Sequence, residues 1–191
     1  MAGRQAKILS VSEVEDLLFF ANTTRYPERN RVIVLLSYKA GLRAAEIANL
    51  TWSMTTDPTG QVGSHIELLD CAAKKGSGRI VPLNADLRAA MLALRAAYPG
   101  DGPVVRSERG AQMTPLSIVV WFNRAYRAIG LAGCSSHSGR RTFITRAARV
   151  VHKAGGSLRD VQLLAGHRSI QTTQRYIDGD SDAQRRLVSL I

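Results

Sequence analysis

Residues 163–176, LLAGHRSIQTTQRY, decide how this chain is read. Leu163 and Leu164 close a helical stretch, LRDVQLLAG, whose start carries Ser157 and Asp160 at capping-box spacing, with Asp in place of the usual Glu. A last helical stretch runs from Ser169 through Tyr176. His167 follows Gly166, and Tyr176 lies nine residues later in the same segment. Taken alone, Tyr176 reads as a partly buried core tyrosine and His167 as a capping or core histidine. What lies upstream changes that reading.

Upstream stands SSHSGRRTFIT, residues 135–145. Ser136 precedes a helix, HSGRRTFITRAARVVHK, that stops at Gly155-Gly156. His137 and Arg140 are spaced i,i+3, so both are expected on one face. They sit at a helix N-terminus, whose dipole and free N–H groups favour an anion. Nearer the start lies GLRAAEIANL, residues 41–50. Arg43 comes just past a glycine helix stop, where its planar fork suits two phosphate oxygens at once. Glu46 is placed three residues on to hold that guanidinium. By itself the GLRxxE pattern is a surface ion pair, and Lys74 and Lys75 in CAAKKGSGRIVPL are solvated turn residues.

The rest of the chain reads as a mostly helical domain with one small β insertion. Ser10 and Glu13 have capping-box spacing and open a helix through VEDLLFFA. Pro27 introduces ERNRVIVLLSYKA, which stops at Gly41. Between Trp52 and Leu83 the turn signals DPTGQVG and KKGSG flank HIELLDC and RIVPL, predicting a small antiparallel sheet of two or three strands. Asn84 caps ADLRAAMLALRAAY, and Thr114-Pro115 opens PLSIVVWFNRAYRAI. The expected fold class is therefore mainly α with a small antiparallel sheet (α+β).

Charge narrows the function. With 26 Lys and Arg against 15 Asp and Glu, the 191-residue chain has a formal net charge of +11 and a pI near 10.5. That surplus favours a polyanionic partner, because each phosphate neutralised releases condensed counterions. Cys71 and Cys134 sit in no CxxC and beside no histidine at ligand spacing, so they read as core or semi-buried thiols rather than zinc ligands. No stretch approaches a membrane span, and no P-loop or carboxylate cluster is present. The expectations are no metal, no cofactor, no membrane partner and a cytoplasmic, nucleoid-associated protein.

Together, GLRAAE, the hairpin pattern Lys74-Lys75-Gly76 then Arg79-Ile80-Val81-Pro82, HSGRRTF and LAGHRSIQTTQRYID resemble the catalytic blocks of the tyrosine recombinase (phage integrase) family. The resemblance implies that Arg43, Lys74, His137, Arg140, His167 and Tyr176 form the catalytic set, with Tyr176 the nucleophile and Glu46 the acid orienting Arg43. The arginines would neutralise charge on the non-bridging oxygens. His137 would accept the phenol proton, His167 would hydrogen-bond a non-bridging oxygen, and Lys74 (or its neighbour Lys75) would protonate the leaving 5′ oxygen. Lys75, Arg79, Arg141 and Arg168 are expected to touch DNA. Gly139 stands where the family usually has Leu, and Arg141 where it often has His.

The same resemblance implies a site-specific recombinase of integrase or invertase type working through a 3′-phosphotyrosyl intermediate. An idle DNA-binding regulator and a type IB topoisomerase-like enzyme are the alternatives. Expected partners are double-stranded DNA, further copies of the chain (a dimer on a site, a tetramer in synapsis) and an accessory DNA-bending or directionality protein. Residues 9–178 are expected to form a single catalytic domain, a natural short form or excised fragment without the family's separate N-terminal domain. The tail, 179–191, with Leu187, Val188, Leu190 and Ile191, is expected to dock on a neighbouring subunit or back on its own domain.

Overall fold

The computed structural model describes residues 6–73, 76–176, 185, 188–189 and 191. Helix α1 (Val11–Asn22) opens on the expected capping box: Ser10 Oγ accepts from the Glu13 N–H at 3.2 Å, and the Glu13 carboxylate accepts from the Ser10 N–H at 2.6 Å. Helix α2 (Pro27–Lys39) starts with Pro27 in its first turn, where a missing N–H costs nothing. It ends ahead of Gly41, whose φ of +64° is the left-handed turn a glycine takes most easily. Arg43 then caps α3 (Ala44–Asn49). After a 3-10 turn at Trp52–Met54 come β1 (His65–Leu68) and β2 (Arg79–Pro82). They pair antiparallel, with Ile66 opposite Val81 and Leu68 opposite Arg79. The sheet has two strands, the smaller of the two expected sizes.

Helix α4 (Ala85–Ala97) is capped by Asn84, and α5 (Pro115–Ala128) by Thr114. Then follow α6 (Ser138–Val150), a 3-10 turn at Val151–Ala154, α7 (Leu158–Ala165) and α8 (Ile170–Gln174). In α2 the run Val32 to Ser37 is buried on every side, because α1, α4 and α6 all pack on it. Burying each such Leu, Ile or Val stabilises by about 2 kcal/mol. The main core gathers α1 to α5 and the sheet, with Trp52 and Phe122 inside it as aromatic anchors. A second, smaller cluster of Ile144, Ala148, Val151, Val161 and Ala165 joins α6 to α7, and Phe143 and Tyr176 lean on it.

Some expectations shift. Helix α6 begins one residue later than the sequence reading, and Ser136 does not cap it. Instead Ser135 and Ser138 brace a tight turn: Ser135 Oγ accepts from the His137 N–H at 3.3 Å, and Ser138 Oγ accepts from the Ser135 N–H at 3.0 Å. His137 therefore occupies the cap position, and Arg140 the third helical one. The helix also gives way to a 3-10 turn after Val150. Cys134 is half-buried, but Cys71 is exposed in the turn after β1. Gly139 has a steric cause: a Cβ there would lie 2.5 Å from Ser37 Oγ, where α6 crosses α2. Lys74, Lys75, Leu187 and Leu190 lie outside the described residues, while Val188 and Ile191 of the tail cluster are exposed.

Candidate active site

Four chain segments converge around one buried carboxylate and one buried guanidinium. The carboxylate is Glu46, fully inaccessible on α3. Its Oε1 accepts from Arg43 Nη1 at 2.5 Å and Arg79 Nη1 at 3.2 Å. Its Oε2 accepts from the Arg43 backbone N–H at 2.9 Å and Arg79 Nη2 at 3.0 Å. Burial alone would raise the Glu46 pKa. The Arg79 hydrogen bonds and charge, with help from Arg43, reverse that and hold it below the ordinary carboxylate value.

The guanidinium is Arg140, on the first turn of α6 and 3 % exposed. Its Nη1 donates to the Gly41 carbonyl, just ahead of Arg43, and its Nη2 donates to the Ala165 carbonyl at 2.7 Å, at the end of α7. Nη2 also lies 3.0 Å from His167 Nε2. Burial, then repulsion from Arg43, lowers its pKa to about 10, which leaves it cationic at neutral pH. One side chain thus pins the corner between α2 and α3 to the corner between α7 and α8, and both corners carry site residues.

His167 is fixed from several sides. Arg140 can only donate, so Nε2 must present its lone pair, and the proton must sit on Nδ1. Nδ1 lies 2.9 Å from Thr173 Oγ1, which therefore accepts it. The backbone of His167 is clamped by Gln162, whose carbonyl accepts from the His167 N–H at 3.1 Å and whose Nε2 donates to the His167 carbonyl at 2.8 Å. Burial first, then the charges of Arg140, Arg43 and Arg79, lower the His167 pKa to about 4. The ring is therefore neutral at pH 7.

Tyr176 lies just past the end of α8 rather than inside a helix. Its ring stacks on His167 with centroids 5.5 Å apart and planes 24° from parallel. Its carbonyl accepts from Thr145 Oγ1 of α6 at 3.3 Å. Beside it opens a cleft of about 360 Å³, lined by His137, Arg140, Arg141, Arg175 and Tyr176 among others. Its lining includes three arginines and no carboxylate among the described residues. Arg141 Nε is buried there without a protein hydrogen-bond partner among the described residues.

The structure thus brings Arg43, Glu46, Arg140, His167 and Tyr176 into one network, with His137 on the cleft wall. Arg168 is exposed beside His167. Arg79 departs from expectation: its side chain is 6 % exposed and faces inward, with Nε donating to the Leu164 carbonyl at 2.8 Å. A buried acid 33 positions away captures it. Lys74 and Lys75 fall outside the described residues. Sequence reasoning missed Thr173 and Gln162, which hold His167. Their one sequence signal is their place beside His167 in the segment that carries it.

On this helical domain a buried arginine, a neutral histidine and a tyrosine meet at a basic cleft. The chain belongs to the phage integrase family, whose model matches residues 7–182. The tyrosine recombinase XerC of Rhizobium meliloti (strain 1021) is 35 % identical over 158 residues, 80 % of this chain and 46 % of that protein. The tyrosine recombinase XerC of Erythrobacter litoralis (strain HTCC2594) is 31 % identical over 192 residues, 97 % of this chain and 58 % of that protein. This chain spans about half the length of these relatives. Among solved structures, the XerA recombinase superimposes with a TM-score of 0.74 at 26 % identity, over 98 % of this chain and 65 % of that one. A lambda integrase dimer bound to a COC′ core site shares the fold at a TM-score of 0.71 and 19 % identity, over 94 % of this chain and 62 % of that one. Among the described residues no helix is long and apolar enough to cross a membrane.

Proposed function

We propose that this chain carries the catalytic centre of a site-specific DNA recombinase. Tyr176 cleaves a DNA strand and stays joined to its 3′ phosphate. The observation that carries the reading is the Arg140–His167–Tyr176 contact chain at the edge of an arginine-lined cleft. A scissile phosphate seated there would meet Arg140 and Arg141 from α6 and the outward donors of Arg43. Charge building on its non-bridging oxygens would be met by fixed cations, an effect worth roughly a hundredfold or more in rate per donor.

The phenol oxygen of Tyr176 forms a bond to phosphorus as the bond to the 5′ oxygen breaks. The phenol proton passes to His137, and the leaving oxygen takes its proton from Lys74. The phosphotyrosyl link conserves the phosphodiester energy, so a 5′ hydroxyl of a second strand can reverse the step and complete an exchange. Arg168 and the other exposed basic side chains would grip the DNA backbone and account for the +11 charge. Pairing of copies on a site, and of sites in a synapse, belongs to the same reading, as does docking of the tail on a neighbour.

The test is covalent trapping. The protein is incubated with sheared genomic DNA of its source and denatured, and DNA ends attached to protein are sequenced, with Tyr176→Phe in parallel. Protein-linked 3′ ends at one or two positions, absent with the variant, are the expected result. DNA binding without any adduct would refute it.

A further inference from the structure

Glu46 holds two arginines, and the partition between them is unequal. Arg79 lays its fork across both carboxylate oxygens, at 3.2 and 3.0 Å. Arg43 reaches the carboxylate with a single side-chain nitrogen, Nη1, and with its backbone N–H. Arg79 cannot turn to the cleft, since its Nε is tied to the Leu164 carbonyl at 2.8 Å and its side chain is buried. Arg43 remains a fifth exposed in its side chain, and among the described residues its guanidinium makes that one hydrogen bond. A guanidinium has five N–H donors, so most of the Arg43 fork is left over.

A buried carboxylate draws in whatever cation is near, because its charge is poorly screened. Arg43 is tethered three residues away and would fill the bidentate face of Glu46 if that face were open. We propose that Arg79 is a positioning residue: by occupying the bidentate face of Glu46, it keeps the Arg43 guanidinium turned outward and available to a phosphate. Its location on β2 also couples that service to the hairpin, since strand and carboxylate are joined by the same side chain. The proposal rests on the reading of Arg43 as a phosphate ligand. Its test is arranged so that each can fail separately.

The experiment measures single-turnover adduct formation on duplexes carrying the mapped cleavage position. One set has a normal scissile phosphodiester, and the other has a methylphosphonate, in which a methyl group replaces one charged non-bridging oxygen. Wild type, Arg79→Met, Arg79→Lys and Arg43→Lys are compared, with circular dichroism reporting the folded fraction. On the phosphodiester Arg79→Met should slow cleavage by tenfold or more. On the uncharged methylphosphonate, where Arg43 has less charge to neutralise, its deficit should shrink at least several-fold, in parallel with that of Arg43→Lys. Arg79→Lys keeps a cation for Glu46 and should fall between Met and wild type. It carries the test if the Met variant does not fold.

A deficit in the Arg79 variants equal on both substrates would mean a merely structural role and overturn the proposal. Wild-type cleavage by the Arg79 variants would overturn it too. If Arg43→Lys cleaves as fast as wild type, the reading of Arg43 falls and the proposal with it. If Arg43→Lys is slow and spared by the methylphosphonate while Arg79→Met is not, the reading of Arg43 stands and the positioning role fails.

Discussion

His167 should make the folded protein sensitive to acid, and the size of the effect follows from its surroundings. Burial, then the charges of Arg140, Arg43 and Arg79, place its pKa at about 4, and Glu46 only partly offsets them. The unfolded value is about 6.5. As pH falls below that value the unfolded chain takes up a proton on this imidazole while the folded one does not. Stability present above pH 6.5 is therefore lost as pH falls towards 4, and the loss levels off below it. A displacement from about 6.5 to about 4 would be worth roughly 3 kcal/mol for a fully buried ring, but His167 is only half-buried, and solvent screening cuts the expected loss to about 1–2 kcal/mol. The assay is urea unfolding of wild type and His167→Gln at pH 7, 5.5 and 4. The difference between the two proteins should move against wild type by most of that amount across the window. A difference independent of pH, or a His167 ring proton whose NMR shift titrates with a midpoint near 6.5, would refute the reasoning. The same logic bears on the chemistry. In the free protein Nε2 accepts from Arg140, so it cannot donate to a phosphate until it gains a proton. A phosphate that draws Arg140 towards itself and brings negative charge would favour that protonation.

Two further outcomes are expected. Gly139→Ala should destabilise by about 1–3 kcal/mol through the Cβ contact with Ser37 Oγ. Because Ser37 Oγ is buried without a partner among the described residues, Ser37→Ala in the same chain should recover part of the loss in thermal unfolding. Thr173→Val keeps the shape of a fully buried side chain but removes the acceptor for His167 Nδ1–H, and should cost about 1–3 kcal/mol. Denaturant unfolding checks the stability, and ring-nitrogen NMR shifts of His167 check the tautomer.

The helices were legible in the sequence because their signals are local. Ser10 with Glu13, Pro27, Asn84, Thr114, and Ser157 with Asp160 all cap or start helices within a turn of themselves, and the structure keeps each in that role. Each block of the family motifs likewise lies within a few residues, and the structure brings Arg43, Arg140, His167 and Tyr176 from separate blocks close together. The boundaries near His137 were not legible. Whether a Ser-Ser-His-Ser run caps a helix or makes a turn depends on which hydroxyl meets which N–H, and composition does not decide that.

Contacts between blocks were hidden by distance along the chain. Arg140 finds the Gly41 carbonyl 99 positions away, and Arg79 finds Glu46 across 33. An arginine on a basic hairpin looks like a DNA ligand until a buried acid is known to lie behind it. That acid also offsets part of the repulsion that Arg140 feels from Arg43 and Arg79. Glu46 supplies the buried carboxylate at the centre, and Arg43 and Arg79 settle around it. Arg140 avoids it, bonding instead to two carbonyls and a neutral imidazole. Carbonyls and a lone pair hold a guanidinium in place without cancelling its charge. An aspartate in their position would fix Arg140 equally well but neutralise it, so the uncharged partners preserve the cation that the proposed phosphate contact requires.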